Sequence, residues 1–81
     1  MSEFDKKHLE SELKTFATKN FVKPSECRNL DQIRYYIGEL CLKIEDYKQR
    51  FNYVPDTAYS LLAKYNGQQN SMLYKDFIRQ Y

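Results

Sequence analysis

The chain has 81 residues, 30% of them charged, and a net charge of +2 at neutral pH. This length suits one small domain, and the balanced charge argues against both a strongly basic nucleic-acid-binding protein and an acidic disordered tail. Two glycines and two prolines are too few for a turn-rich β-sandwich or a flexible linker, so we treat residues 1–81 as a single helical domain.

The first predicted helix runs from about residue 3 to about residue 19. Ser2 can cap its N-terminus, and acidic residues occupy its first turn. Four apolar residues share one narrow face: Leu9, Leu13, Phe16 and Ala17. Because that face is narrow, we expect the helix to depend on docking against the rest of the chain. Pro24 disfavours helix at the preceding residue, so residues 20–25 are predicted to form a connector.

The strongest pattern lies in a second predicted helix, residues 29–51. Large apolar residues recur at alternating steps of three and four, as at the a and d positions of three heptads: Leu30, Ile33, Ile37, Leu40, Ile44, Tyr47 and Phe51. Leaving this helix-packing seam exposed would cost about 1.5–3 kcal/mol per large side chain. The seam is therefore predicted to pack against another helix, in the manner of a coiled coil.

The residues that flank the seam bear on self-association. No acid occupies the e and g positions, which hold Arg34, Tyr36, Cys41, Lys43, Lys48 and Arg50. In a parallel, in-register homodimer, Lys43 of one chain would face Lys48 of the other, and like charges at such positions are unfavourable. The flanks thus favour packing within the chain, or a hetero-complex, over a parallel homodimer.

A third predicted helix covers residues 56–81. Pro55 interrupts the previous helix and can open the next one, with Asp56 near its positive end. So short a link makes the two helices antiparallel. Asn66-Gly67 is a common helix end, so the sequence does not decide between one continuous helix and two helices with a break at 67–70. The predicted fold class is all-α: a small helical bundle of three or four helices built on an antiparallel αα-hairpin.

A second set of apolar residues lies away from the seam. Tyr35 and Leu42 occupy f positions, and further large residues share a face near the C-terminus. A chain of this size cannot easily bury both sides of its main helix, and exposed apolar surface commonly marks a protein contact. The alternative is that the first helix covers this side. The predicted protein interface comprises Tyr35, Leu42, Tyr74, Ile78 and Tyr81.

Catalytic and metal-binding motifs do not emerge from the sequence. His8 is the only histidine, so no serine or cysteine nucleophile has a second candidate base. Cys27 and Cys41 lack metal-ligand spacing and are expected to be ordinary thiols in a reducing compartment. We expect no enzyme activity, no cofactor, no metal and no small-molecule substrate.

The sequence also bears on location. Residues 2–5 form no apolar run and are acidic, which predicts neither a signal peptide nor a transit peptide. No stretch approaches the roughly 20 apolar residues that a membrane span needs. We expect a cytoplasmic or nuclear protein that does not engage a membrane.

Two short segments resemble known families. Residues 30–37, which include Arg34, resemble the first-helix pattern of the small helical chorismate mutases, where an arginine on the long helix meets a dicarboxylate substrate. Leu73-Tyr74-Lys75 is similar to the Leu-Tyr-Arg signature of small mitochondrial assembly adaptors, which are also small helical bundles. In that family the motif opens the first helix, and an arginine stands in the place of Lys75. These resemblances imply a small helical enzyme and an assembly adaptor, respectively.

The function predicted from these features is a non-catalytic subunit or adaptor of a larger complex. It would bind a partner protein through its long helix and its C-terminal aromatic face. One alternative is a helical module that contacts nucleic acid within a protein complex, because Lys19, Lys23 and Arg28 form the densest cationic patch. A mitochondrial assembly adaptor or a small helical enzyme is the second alternative.

Overall fold

The computed structural model describes residues 2–79, with side chains for residues 2–75, and consists of three α-helices. These are α1 (Glu3–Asn20), α2 (Leu30–Phe51) and α3 (Asp56–Arg79). A single 3-10 turn, Pro24–Glu26, lies in the connector between α1 and α2. No strand occurs in residues 2–79. The predicted all-α fold class is confirmed, and the molecule is elongated, with principal extents of 53 × 21 × 16 Å.

Side chains define where the first two helices begin. Ser2 Oγ accepts a hydrogen bond from the backbone N–H of Asp5 at 3.2 Å, and the Asp5 carboxylate accepts one from the Ser2 N–H at 3.4 Å. Asn29 Oδ1 accepts from the backbone N–H groups of Asp31 at 2.8 Å and Gln32 at 3.2 Å. Both caps satisfy N–H groups that a helix cannot pair internally.

A short link turns the chain between α2 and α3. Asn52 ends α2 in the left-handed conformation, with φ 52° and ψ 33°, which asparagine tolerates better than most residues. The buried Pro55 then precedes α3. Helix α3 continues through Asn66 and Gly67, so the break that the sequence left open does not occur. One glycine within a helix costs only about 1 kcal/mol relative to alanine.

The core consists of two clusters along the α2–α3 hairpin. Near the α2–α3 link, α1 supplies the third layer of a cluster formed by Leu9, Leu13, Ile44, Tyr47 and Ala58. Toward the start of α2, the connector supplies the third layer of a second cluster, which is formed by Cys27, Ile33, Tyr36, Leu40 and Tyr65. Helix α1 and the connector therefore cover different halves of one antiparallel hairpin.

The helix-packing seam lies on the inward side of α2. Ile33, Leu40, Ile44 and Tyr47 are buried, whereas Leu30, Ile37 and Phe51 are half-buried. Tyr36, outside the seam in the heptad pattern, is buried beside them. The connector packs over this side of α2 and brings Phe21 onto the Tyr36 ring, with centroids 4.3 Å apart. The inward face is therefore wider than the seam itself.

Two tyrosine hydroxyl groups hold the connector in place. The Val22 backbone N–H donates to Tyr36 Oη at 3.1 Å, and its carbonyl accepts from Tyr65 Oη at 2.6 Å. Gln68 Nε2 also donates to the Cys27 carbonyl at 3.0 Å. These bonds satisfy backbone groups that the connector could not pair within a helix or sheet.

One long-range contact ties α1 to the start of α3. The Glu10 carboxylate accepts hydrogen bonds from the Thr57 backbone N–H at 3.4 Å and from Thr57 Oγ1. A carboxylate at a helix N-terminus pairs with free N–H groups and with the positive end of the helix dipole. Glu10 therefore caps α3 from another helix.

Candidate interaction face

The outward side of α2 carries two large exposed apolar residues. Tyr35 is 64% exposed and Leu42 is 66% exposed. They lie seven residues apart, about two helical turns, and so share one face roughly 10 Å apart along the axis. The inward face of the same helix is occupied by the two core clusters. We call the segment from Tyr35 to Leu42 on this side the outer strip.

Gly38 leaves a gap in the middle of the outer strip. It lies three residues after Tyr35 and four before Leu42, so it is a surface neighbour of both. Apart from the local backbone of the helix, no heavy atom of the described residues lies within 4 Å of the position that a Cβ would occupy, and its φ is not positive. Neither the packing of the described residues nor the backbone conformation requires glycine here.

Most of the charged neighbours of the outer strip are acidic. The positions three and four residues from Tyr35 and Leu42, which adjoin them on the helix surface, hold Asp31, Gln32, Gly38, Glu39, Glu45 and Asp46. Four of these residues are acidic and none is basic. Lys43, next to Leu42 in sequence, instead places Nζ 4.1 Å from the ring centroid of Phe16 on α1. Arg34, which is exposed one residue before Tyr35 and four before Gly38, is the cation at the edge of the strip. The strip is therefore apolar with a mainly acidic surround.

Two of these acids form weak ion pairs near the end of α2. Glu45 lies 4.0 Å from Lys48 Nζ, and Asp46 lies 3.3 Å from Arg50 Nη1, all with exposed side chains. Such pairs contribute little because water screens them. Among residues 2–75, Asp31 and Glu39 have no ion-pair partner. Two carboxylates in and beside the middle of the strip are thus not held in a direct ion pair within the described part of the chain.

The predicted C-terminal part of the interface is described only in part. Tyr74 is 65% exposed on α3, and its neighbour Leu73 is also exposed. Ile78 and Tyr81 lie outside the residues whose side chains the structure describes. The ring of Tyr35 contacts that of Tyr36, with centroids 6.2 Å apart, and no ring contact joins it to Tyr74 in the described part of the chain.

Other exposed and buried side chains were not singled out from the sequence. Phe4 and Tyr59 are exposed, and each lies off the apolar stripe of its helix, although neither was assigned to the predicted interface. The pairing of the Tyr36 and Tyr65 hydroxyls with Val22 joins segments far apart in the sequence, which no local pattern reveals. Burial raises the pKa of Tyr65 to about 12.

Groups that could support chemistry are scattered. His8 is exposed and lies 3.8 Å from the Glu12 carboxylate. Cys41 is exposed and Cys27 is buried, and burial raises the pKa of the Cys27 thiol. Among the described residues, no group of three or more His, Cys, Asp and Glu side chains is placed to hold a metal ion.

Comparison with other proteins gave no match, whether to family models, to curated proteins or to solved structures. Arg34, which a chorismate-mutase-like site would use, is exposed on α2, and residues 73–75 lie late in α3 rather than at the start of the first helix. No helix in the described residues has the length and apolar character needed to cross a bilayer. The surface geometry is therefore the basis for a functional proposal.

Proposed function

We propose that this protein is a non-catalytic subunit or adaptor that binds a partner protein through the outward side of α2 and the C-terminal part of α3. The observation that carries the proposal is the outer strip: Tyr35 and Leu42 are both about two-thirds exposed on one face of the main helix. Covering each of them would contribute up to about 1.5–3 kcal/mol. Tyrosine is also enriched among the residues that dominate binding energy at interfaces.

We expect the fold not to depend on these side chains. The two core clusters draw on the inward face of α2, and neither contains Tyr35 or Leu42. A substitution in the outer strip can therefore change binding without removing core packing. Scattered exposed apolar residues are common on protein surfaces. The outer strip differs because its two large side chains share a face and adjoin the same gap at Gly38.

A second candidate, contact with nucleic acid within a complex, draws on a different surface. Lys14, Thr15, Thr18 and Lys19 line a shallow depression on the outward side of α1, and Lys23 lines the neighbouring groove. Cations and hydroxyl groups suit phosphate contacts. Such binding would weaken steeply with added salt and would be insensitive to Leu42→Asp.

The test compares substitutions on one helix face. Tagged wild-type protein, Leu42→Asp, Tyr35→Asp and the control Gln49→Asp are used for affinity capture from cell extract. Gln49 is the next f position on the same face and is exposed. We expect one partner to bind the wild type and Gln49→Asp and to be lost from Leu42→Asp and Tyr35→Asp. Equal capture by all four would contradict the proposal, and circular dichroism confirms that each variant is folded.

A further inference from the structure

We propose that the partner presents a basic amphipathic helix to the outer strip. A large apolar side chain of that helix would seat over Gly38, between Tyr35 and Leu42, and its Lys or Arg side chains would face the surrounding carboxylates. This inference rests on the proposed function and deepens it by stating the chemistry of the partner.

The shape of the outer strip supports a helix as the occupant. Two large side chains about two turns apart, with an empty position between them, form a row with a gap on one helix face. Side chains of one helix pack into such gaps on another, and the axes lie 8–10 Å apart depending on the residues in contact. A glycine at the crossing point allows the closer approach. It also explains why a residue that weakens an isolated helix stands at this position.

Charge indicates the kind of helix. Every charged residue three or four positions from Tyr35 or Leu42 is acidic, and Glu39, which adjoins both, is half-buried. Among the described residues Glu39 has no ion-pair partner. Complementary charge around an apolar contact steers encounter and disfavours partners of the wrong sign. A helix with Lys or Arg on both sides of its apolar stripe matches this surround.

The same charges disfavour other candidate occupants of the outer strip, namely a second copy of the chain, nucleic acid and an anionic membrane. In a second copy packed antiparallel, with Tyr35 opposite Leu42 of its mate, Asp31 faces Asp46 at both ends of the contact and each Glu39 faces Gly38. A parallel arrangement likewise places each acid near its own equivalent. Nucleic-acid phosphates and anionic lipid headgroups meet the same repulsion. A cationic helix is the occupant that all four acidic neighbours favour.

The direct test uses two synthetic helical peptides as probes. Both are about 18 residues long, roughly five turns, with an identical leucine stripe flanked by Lys in one and by Glu in the other. Fluorescence anisotropy of the labelled peptides gives Kd, and amide chemical shifts of the protein map the contact. We expect the Lys-flanked peptide to bind at least about tenfold more tightly, with shifts centred on residues 31–46, and to weaken from about 50 to 500 mM salt.

Three variants assign the binding to the strip. Glu39→Lys should weaken the Lys-flanked peptide about tenfold and strengthen the Glu-flanked one. Gly38→Leu should abolish binding of both peptides by filling the gap, while circular dichroism stays unchanged because that position is open. Glu12→Lys, on α1, makes the same change in net charge at an exposed site away from the strip and should change neither Kd.

The outcomes separate this inference from the proposed function. Equal binding of the two peptides, shifts outside residues 31–46, or equal effects of Glu39→Lys and Glu12→Lys would overturn the inference. If native capture still depended on Leu42, the proposed function would stand with a partner of different chemistry. A dimer in sedimentation experiments that Leu42→Asp dissociates would name a second copy as the occupant and overturn the inference. Capture of the partner that does not depend on Leu42 would contradict both the inference and the proposed function.

Discussion

Tyr35 and Tyr36 are neighbours in sequence with opposite environments. Tyr36 is 6% exposed, its hydroxyl accepts the Val22 N–H, and its ring stacks on Phe21. Tyr35 is 64% exposed, and its hydroxyl has no hydrogen-bond partner among the described residues. One step along a helix turns a side chain by about 100°, enough to move it from the core to the surface. The residue type alone therefore does not separate a core tyrosine from a candidate interface tyrosine.

The same contrast holds for the two sides of α2 as wholes. The inward side meets α1, the connector and α3, and its Tyr36 hydroxyl finds a hydrogen-bond partner within the chain. The outward side combines large apolar residues with uncompensated carboxylates and a glycine that nothing in the fold requires. We therefore expect stability to depend on the inward side and binding to depend on the outward side.

The largest expected effect comes from placing a charge on each side of α2. Leu40 is fully buried, so Leu40→Asp puts an unpaired carboxylate in the core and should cost several kcal/mol, enough to unfold a domain of this size. Leu42→Asp should lower Tm by no more than a few degrees. Thermal unfolding followed by circular dichroism measures both. If Leu42→Asp also unfolds the chain, the outer strip belongs to the core.

Alkaline pH tests the inward side through Tyr65. Burial raises the pKa of Tyr65 to about 12, above the value of about 10 expected in the unfolded chain. The fold therefore favours the neutral phenol. The protonated Tyr65 therefore contributes to the free energy of unfolding in full below pH 10. This contribution, on the order of 2 kcal/mol, is lost as the pH rises from 10 to about 12. Urea unfolding across this range measures the loss.

Tyr65→Phe serves as the control for that measurement. It removes the ionisable group, so stability should fall less between pH 10 and 12 than in the wild type. An unchanged slope would assign the alkaline loss to other groups.

Removing single hydroxyl groups sharpens the comparison of the adjacent tyrosines. Tyr36→Phe leaves the Val22 N–H without its partner and should lower the free energy of unfolding by about 1 kcal/mol. Tyr35→Phe removes an exposed hydroxyl and should change it by less than about 0.5 kcal/mol. Urea denaturation of both variants gives the difference. Equal effects would show that the Val22–Tyr36 bond does not stabilise the fold in solution.

Gly38→Ala tests whether glycine is retained for the fold or for binding. The position is helical and open, so alanine should raise the free energy of unfolding by about 0.5–1 kcal/mol. The added Cβ should at the same time weaken binding of the Lys-flanked peptide. Urea denaturation and anisotropy measure the two effects on one sample. Alanine that destabilises the fold would mean that the chain itself requires glycine here.

Thiol reactivity gives the mildest test of the two sides. Cys41 is exposed and should react at once with a chromogenic disulfide reagent under native conditions. Cys27 is buried, and burial raises the pKa of its thiol, so it should react only when the structure opens. Cys41 also lies three residues from Gly38, so the bound peptide should slow its reaction. Two fast-reacting thiols in the native protein would contradict the burial of Cys27.

Local signals explain why much of the fold could be predicted. The recurrence of apolar residues from Leu30 to Phe51 requires no knowledge of distant segments, because a helix places residues three and four apart on one face. Ser2 and Asn29 cap their helices with their own side chains, and Pro55 acts through its own ring. The f positions of Tyr35 and Leu42 follow from the same periodicity, and their use as an interface remains a prediction.

The sequence by itself determined the all-α class and which side of α2 faces inward, because both depend on periodicity within one helix. Only the tertiary structure decided that α3 runs unbroken through Gly67, since a single glycine is nearly balanced between continuing a helix and ending it. It alone showed that Tyr36 and Tyr65 hold Val22, and that Glu10 caps α3 at Thr57, 47 residues away. These contacts join segments whose approach depends on how the helices pack, which no local pattern encodes.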